Sequence, residues 1–344
     1  MKRRALLAGL LLMPTAAHAR PKKPVKARQT VQKAAAAPPR PAGPQPLVDG
    51  KSQLVPFNAS AFPYRGFLPD SRKPFLDVRT GNRRGHTSLR GDVYWEDPTY
   101  SDRRSLLYLP PGFDPQRPVL LVVFFHGQGA TLERDVMLRQ AVPRQVAESG
   151  QNIALIAPQL ALDAGDSSAG NFWRPGHFAA YVDEAAERIM RLYGDRAIGR
   201  RLNLAGVVIV AYSGGYLSTA YALERGGANH RVKGVILLDA LYGDEDKFAA
   251  WIARERRGAF LFSAHTESTK DEHATLQGLL DKKRVPYSRG LPTALTPGTV
   301  AFLPCGGLDL HGDFVTRAWR ADPLKTALAM IPGYAAPPRD KKGA

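Results

Sequence analysis

The apolar run Val207-Val208-Ile209-Val210 leads into Ala211-Tyr212-Ser213-Gly214-Gly215, and a helix-forming stretch, Tyr216 to Leu223, follows directly. Four β-branched residues, a turn of small residues and a helix describe a buried strand that reverses sharply at a serine. Neighbours in such a turn must be small, because a larger Cβ would collide beside the strained apex. The turn follows the G-x-S-x-G pattern with Ala211 in the first glycine position. Ser213 is therefore a candidate nucleophile. Its hydroxyl attacks a carbonyl carbon only when a base removes the proton, and the base needs an acid to hold its tautomer. A Ser-Gly-Gly after a strand is also an ordinary turn, so the reading depends on what accompanies it.

The accompaniment is positional. Val119–Phe125, Val207–Val210, Val232–Leu238, Ala259–Ser263 and Thr299–Leu303 are short apolar runs, and His126, Ser213, Asp239, Glu267 and His311 each stand at or just beyond the end of a different one. Strands apolar on every residue are expected in a parallel sheet covered on both faces. Helical spacing in 178–193, where Phe178, Tyr181, Val182, Ala185, Ile189 and Leu192 share a face, and helix-like segments at 132–149, 246–257, 274–283 and 323–330 alternate with them. The fold class is α/β: a mostly parallel sheet flanked by helices, with ligands bound at the carboxyl ends of the strands. Gly91–Trp95 and Arg104–Leu109 are predicted to pair as a hairpin, and 58–90 to be irregular.

These features resemble the α/β-hydrolase family over about Arg104 to Met330, on His126-Gly127-Gln128-Gly129, Ala211-Tyr212-Ser213-Gly214-Gly215 and His311, and in the chain order serine, acid, histidine. The stretch from Arg104 through Tyr108-Leu109-Pro110-Pro111-Gly112-Phe113-Asp114 to His126-Gly127 resembles the esterases and polyester depolymerases of that family. The resemblance implies His311 as the base, two backbone oxyanion donors at Gln128 and Gly214, and no cofactor or metal. His265 and His273 follow the preceding strand and fit less well, and no partner is visible for His177. The acid is Asp239 or Glu267. Asp239 emerges from an apolar wall, Leu237-Leu238-Asp239-Ala240-Leu241, where a carboxylate is desolvated and requires a partner, whereas Glu267 sits in a polar run, Thr266 to Glu272. Asp239 is preferred and Glu267 is the alternative.

Substrate contacts are expected from Tyr212 at the turn and from the Gly-rich segment 159–177, where Trp173 would stack on a ring and Arg174 would meet a carboxylate. Core packing is the competing role for Tyr212 and pinning of the long loop that for Trp173 and Arg174, and Tyr242 and Trp251 are undecided.

The 344 residues carry a formal charge of +17. Residues 1–50 hold ten Lys/Arg against one acid and residues 338–344 three against one, which leaves about +6 on the body. Met1-Lys2-Arg3-Arg4, an apolar run to Met13 and Ala17-His18-Ala19 form a secretory leader over 1–19. A basic Pro/Ala-rich linker follows over 20–56, then the hydrolase-like domain over 57–335 and a disordered basic tail over 336–344. A periplasmic or secreted location follows, with loose attraction of the linker to an anionic cell envelope and no nucleic-acid binding. One cysteine, Cys305, excludes an intramolecular disulfide and cysteine-rich zinc sites. The expected function is a serine hydrolase cleaving an ester, or an amide, in a small-molecule or envelope-derived substrate through an acyl-enzyme on Ser213. The alternatives are a non-catalytic envelope-binding or scaffolding protein of the same fold, and a peptidoglycan or peptide amidase.

Overall fold

The computed structural model describes residues 49–69 and 71–337. The leader, the linker up to residue 48 and the tail from 338 lie outside the described residues. The strands are β1 (Lys51–Pro56), β2 (Val78–Thr80), β3 (Arg83–Thr87), β4 (Val93–Trp95), β5 (Arg104–Leu109), β6 (Leu120–Phe125), β7 (Ile153–Pro158), β8 (Gly206–Tyr212), β9 (Val232–Leu238), β10 (Phe260–His265), β11 (Ser288–Arg289) and β12 (Val300–Pro304). The α-helices are α1 (Glu96–Thr99), α2 (Val142–Glu148), α3 (His177–Tyr193), α4 (Gly199–Leu204), α5 (Tyr216–Arg225), α6 (Glu245–Glu255), α7 (Lys270–Lys282) and α8 (Pro323–Ala329).

Nine strands form one sheet in the order β1-β5-β7-β6-β8-β9-β10-β12-β11. From β7 to β11 every neighbouring pair is parallel, while β5 is antiparallel to both β1 and β7. The chain thus runs from β5 to β6, returns to place β7 between them, and then continues outward on the far side of β6. β8 stands in the middle. All seven of its residues are buried, and they alternate between two cores: Val207, Ile209 and Ala211 face one, Val208, Val210 and Tyr212 the other. The first core is closed by α3, α5, α6 and α7, the second by α2 and α8.

Three local expectations are corrected. The linker assignment to residue 56 is too long, because Lys51–Pro56 is the edge strand of the large sheet, registered from Lys51 opposite Leu109 to Pro56 opposite Arg104. Its exposed outer face removed the hydrophobic signal. The hairpin between 91–95 and 104–109 does not form: β4 pairs with β3 in a separate sheet ordered β2-β3-β4, and β5 enters the large sheet. So 58–90 is partly stranded. The helix over 132–149 is broken, with a π-helical segment over Leu132–Arg139 followed by α2 and a left-handed Ala141 at φ 47° between them. Pro143 explains the break, since its ring would clash with the carbonyl four residues back, at Arg139, had one helix continued.

Candidate active site

Ser213 closes β8 with φ 51°, a left-handed conformation that costs a non-glycine residue on the order of 1–3 kcal/mol. The turn is compressed against β6: a Cβ at Gly215 would collide with the Phe125 carbonyl oxygen. Ala211 is fully buried at the strand end, so one methyl fits where the pattern has glycine.

Ser213 Oγ lies 2.9 Å from His311 Nε2, and His311 Nδ1 lies 2.6 Å from Asp239 Oδ2. His311 comes from a 3₁₀ turn over Leu308–Asp313, reached after β12, and Asp239 from the residue after β9. The Tyr212 ring stacks at 5.5 Å on the imidazole, and its hydroxyl donates to the His311 carbonyl at 2.7 Å. Tyr212 therefore holds His311 from its backbone side while also lining the cleft.

Asp239 is wholly buried and also left-handed, at φ 45°. Its carboxylate receives four further hydrogen bonds: Thr266 N–H at 2.9 Å and Thr269 Oγ1 at 3.0 Å on Oδ1, Thr266 Oγ1 at 2.9 Å and Ser268 Oγ at 3.2 Å on Oδ2. Burial by itself would raise its pKa, but the bonds from His311 and Thr266 outweigh that and hold it below the ordinary carboxylate value. Tyr242 OH lies 3.1 Å from Ser268 Oγ and 3.2 Å from His311 Nδ1, completing a ring of hydrogen bonds around the acid and the base.

The polar run containing Glu267 is thus part of the site, in a role that sequence reasoning missed. Its threonines and serine hold Asp239, while Glu267 itself turns outward, 57% exposed, with Oε2 at 2.9 Å from Lys270 Nζ. It forms no hydrogen bond or ion pair with His311. The signal was present as three hydroxyl side chains within four residues, Thr266 to Thr269, directly after a strand.

The cleft over Ser213 has a volume of about 570 Å³, and its walls include Gln128, Ser167, Gly214, Tyr216, Tyr242 and the loop residues Leu89 and Arg90. Gly214 packs so close to Gln128 that a Cβ there would lie 3.4 Å from the Gln128 amide nitrogen and 2.5 Å from Ser167 Oγ. The Gln128 side chain donates to Ser167 Oγ at 2.9 Å, which ties the 126–129 loop to the 159–177 segment. That segment reaches the cleft through Gly165, Asp166 and Ser167, not through the two residues singled out from the sequence. Trp173 is 6% exposed and packs edge-on against Tyr64, Phe75 and Tyr221 in an aromatic core. Arg174 lines a separate surface hollow with Pro63, Tyr64, Arg65 and Asn171. Both assignments as substrate contacts are therefore corrected; the pattern of a Gly-rich loop does not reveal which of its residues turn inward.

His126, His177, His265 and His273 lie outside the Ser213–His311–Asp239 chain and are engaged elsewhere in the fold. His126 is buried, with Nδ1 2.8 Å from the Gly127 carbonyl and Nε2 accepting from Leu160 N–H at 2.9 Å, and burial pushes its pKa down to about 4. His265 and His273 stack at 3.9 Å, and burial together with the His265 charge lowers His273 to about 3. His177 points at the Ala59 and Ser60 carbonyls, and Trp251 is fully buried.

A central parallel strand ending in a strained serine, a β7 inserted between β5 and β6, and an acid and a histidine arriving from later strands in that chain order decide the architecture. This is the α/β-hydrolase fold. No family model and no curated protein matches the chain. Solved structures with this fold do, remotely. A serine-to-alanine mutant of the feruloyl esterase module from Clostridium thermocellum, complexed with sinapinate, is 15% identical, with 80% of this chain and 95% of that one covered at a TM-score of 0.42. A thermostable esterase is 17% identical, with 73% and 72% covered and a TM-score of 0.40. An S-formylglutathione hydrolase from Agrobacterium tumefaciens is 12% identical, with 74% and 97% covered and a TM-score of 0.39.

Proposed function

We propose that this protein is a serine hydrolase that cleaves carboxylic esters by acyl transfer. The observation that carries the reading is the unbroken chain from Ser213 Oγ through His311 to Asp239, at 2.9 and 2.6 Å, opening into a cleft at the serine and ending on a fully buried acid. His311 Nε2 takes the serine proton as Oγ bonds to the ester carbonyl carbon, and the carbonyl π electrons move to the oxygen. The Gly214 and Gln128 amides receive that oxyanion. Asp239, held ionised by its donors, stabilises the imidazolium. The tetrahedral adduct expels the alcohol, which leaves with the proton from His311, and an acyl-serine remains. A water then gives a proton to His311 and bonds to the acyl carbon. Collapse releases the acid and returns the proton to Ser213.

A fluorophosphonate probe is expected to add a single label at Ser213, located by peptide mass spectrometry, and the labelled protein to lose all turnover of a short neutral ester. Folded protein that takes no label and turns over no ester would sink the proposal and favour the non-catalytic alternative. An amidase of this kind would need Arg174 to read a substrate carboxylate, and that residue lies in a different hollow. We further propose that the chain is exported to the periplasm or beyond by its first 19 residues and that the basic linker associates loosely with an anionic envelope. Fractionation of cells expressing the full chain, with and without residues 1–19, tests the first. Envelope pull-down with and without residues 20–48 tests the second.

A further inference from the structure

The cleft has a lip that the chemistry above does not use. It is the turn joining β3 to β4, in which Ser88 N–H donates to the Asp92 carbonyl at 2.8 Å and Gly91 N–H to the Ser88 carbonyl at 2.9 Å. The tip presents Leu89 and Arg90, and both line the same cleft as Ser213, His311 and Tyr242.

Neither side chain is engaged by the other described residues. Leu89 is 94% exposed, the most exposed large apolar side chain among the described residues, so the protein itself leaves its apolar surface unburied. Arg90 makes no hydrogen bond or ion pair with any described residue, although the arginines on the strand leading to the turn are paired, Arg83 with Asp97 and Arg84 with Glu96. Its charge nevertheless reaches the site, since it acts on the Tyr242 hydroxyl that touches His311. The turn is also held in place. Tyr94 OH on β4 accepts from Gly165 N–H at 3.0 Å, Thr87 N–H donates to Asp77 at 2.8 Å, and His86 Nδ1 meets the Phe75 carbonyl at 2.7 Å. An apolar side chain and an unpaired guanidinium on adjacent residues, fixed over a nucleophile, match a ligand with an apolar body and an anionic group. The one carboxylate lining the cleft, Asp166, is buried and engaged by Tyr100 OH at 2.9 Å, which leaves Arg90 open to a ligand.

We infer that the Leu89-Arg90 turn is a substrate-reading lip, and that the preferred ester carries a carboxylate beside an apolar segment, with Arg90 pairing the carboxylate and Leu89 covering the segment. This rests on the ester-hydrolase reading of Ser213.

Two matched pairs test it. One is mono-4-nitrophenyl suberate against its methyl ester, with the charge on the acyl side. The other is 4-(butanoyloxy)benzoate against its methyl ester, with the charge on the alcohol side. In at least one pair the anionic member is expected to have a kcat/KM higher by about tenfold, the size of one charge-assisted contact. Arg90→Gln should erase that ratio and Arg90→Lys restore part of it, while Leu89→Ser should raise KM for both members of the pair. Arg79→Gln, on β2 and away from the cleft, should leave the ratio unchanged. The same preference is read without turnover as binding to Ser213→Ala protein by calorimetry. Turnover of both members at equal efficiency in both pairs, or a ratio that survives Arg90→Gln, overturns the lip while leaving the ester-hydrolase reading intact. Preferential binding of the anionic ester, lost with Arg90→Gln, in protein that turns over no ester supports the lip and removes the ester-hydrolase reading instead.

Discussion

Asp239 Oδ2 lies 2.6 Å from His311 Nδ1, and the groups that hold the carboxylate there come from the segment that also contains its rival, Glu267. A buried carboxylate without donors would neutralise and leave the imidazole unsupported. With four donors besides His311, it stays ionised in the core.

The two acids are therefore expected to separate cleanly. Asp239→Asn should lower kcat for a neutral ester by about 10⁴-fold, because the amide presents the wrong partner to Nδ1. Glu267→Gln removes only a solvent-screened pair with Lys270 and should leave kcat within about twofold. Steady-state kinetics on both variants decide it, and equal losses would reassign the acid.

The hydroxyl clamp makes its own prediction. Thr269→Val and Thr266→Val each strip a donor from a wholly buried carboxylate and should cost about 1–3 kcal/mol of stability with a fall in kcat. Urea unfolding and kinetics on the same preparations measure the two effects; variants as stable and active as the parent would show the clamp to be idle.

At Ser213 the backbone strain implies a conflict between activity and stability. Ser213→Gly removes the nucleophile and also relieves a left-handed non-glycine residue. It is expected to be inactive yet at least as stable as Ser213→Ala, by about 1 kcal/mol in the glycine variant's favour. Thermal melts of the two, compared at one pH, supply the check.

Buried neutral histidines predict the acid side of the stability curve. His126 and His273 have folded pKa values lowered to about 4 and about 3, against an ordinary value of 6.5. Between those limits the unfolded chain binds more protons, so stability rises with pH there; the contribution is complete above about 6.5 and is lost as pH falls toward 4. His126 alone corresponds to a loss on the order of 3 kcal/mol by about pH 4. Unfolding free energies that stay flat from pH 7 to pH 5 would contradict this.

The residues 173 and 174 should respond in opposite ways. Trp173→Ala opens a cavity in the aromatic core and is expected to cost about 3–5 kcal/mol. Arg174→Gln, in its separate hollow, should leave kcat/KM unchanged. A selective loss of activity in the arginine variant would return that residue to the substrate site.

Much of this protein was legible in one dimension because its central strands are buried on both faces. Such strands must be apolar on every residue, and the few polar side chains at their ends, Ser213, Asp239 and His311, then stand out by contrast. Helix α3 announced itself by its period, and the α/β class followed from the alternation of apolar runs with helix-like segments. What escaped was whatever lies on edges and in loops. Lys51–Pro56 exposes its outer face and carries no apolar pattern, and β3 opens on Arg83 and Arg84, whose pairing partners lie up to 14 residues away. Spacing along the chain says nothing about which loop residues turn inward. That is settled by packing, which sent Trp173 into the core, turned Glu267 to solvent, brought the hydroxyls of Thr266, Ser268 and Thr269 onto Asp239, and set Leu89 and Arg90 over the nucleophile.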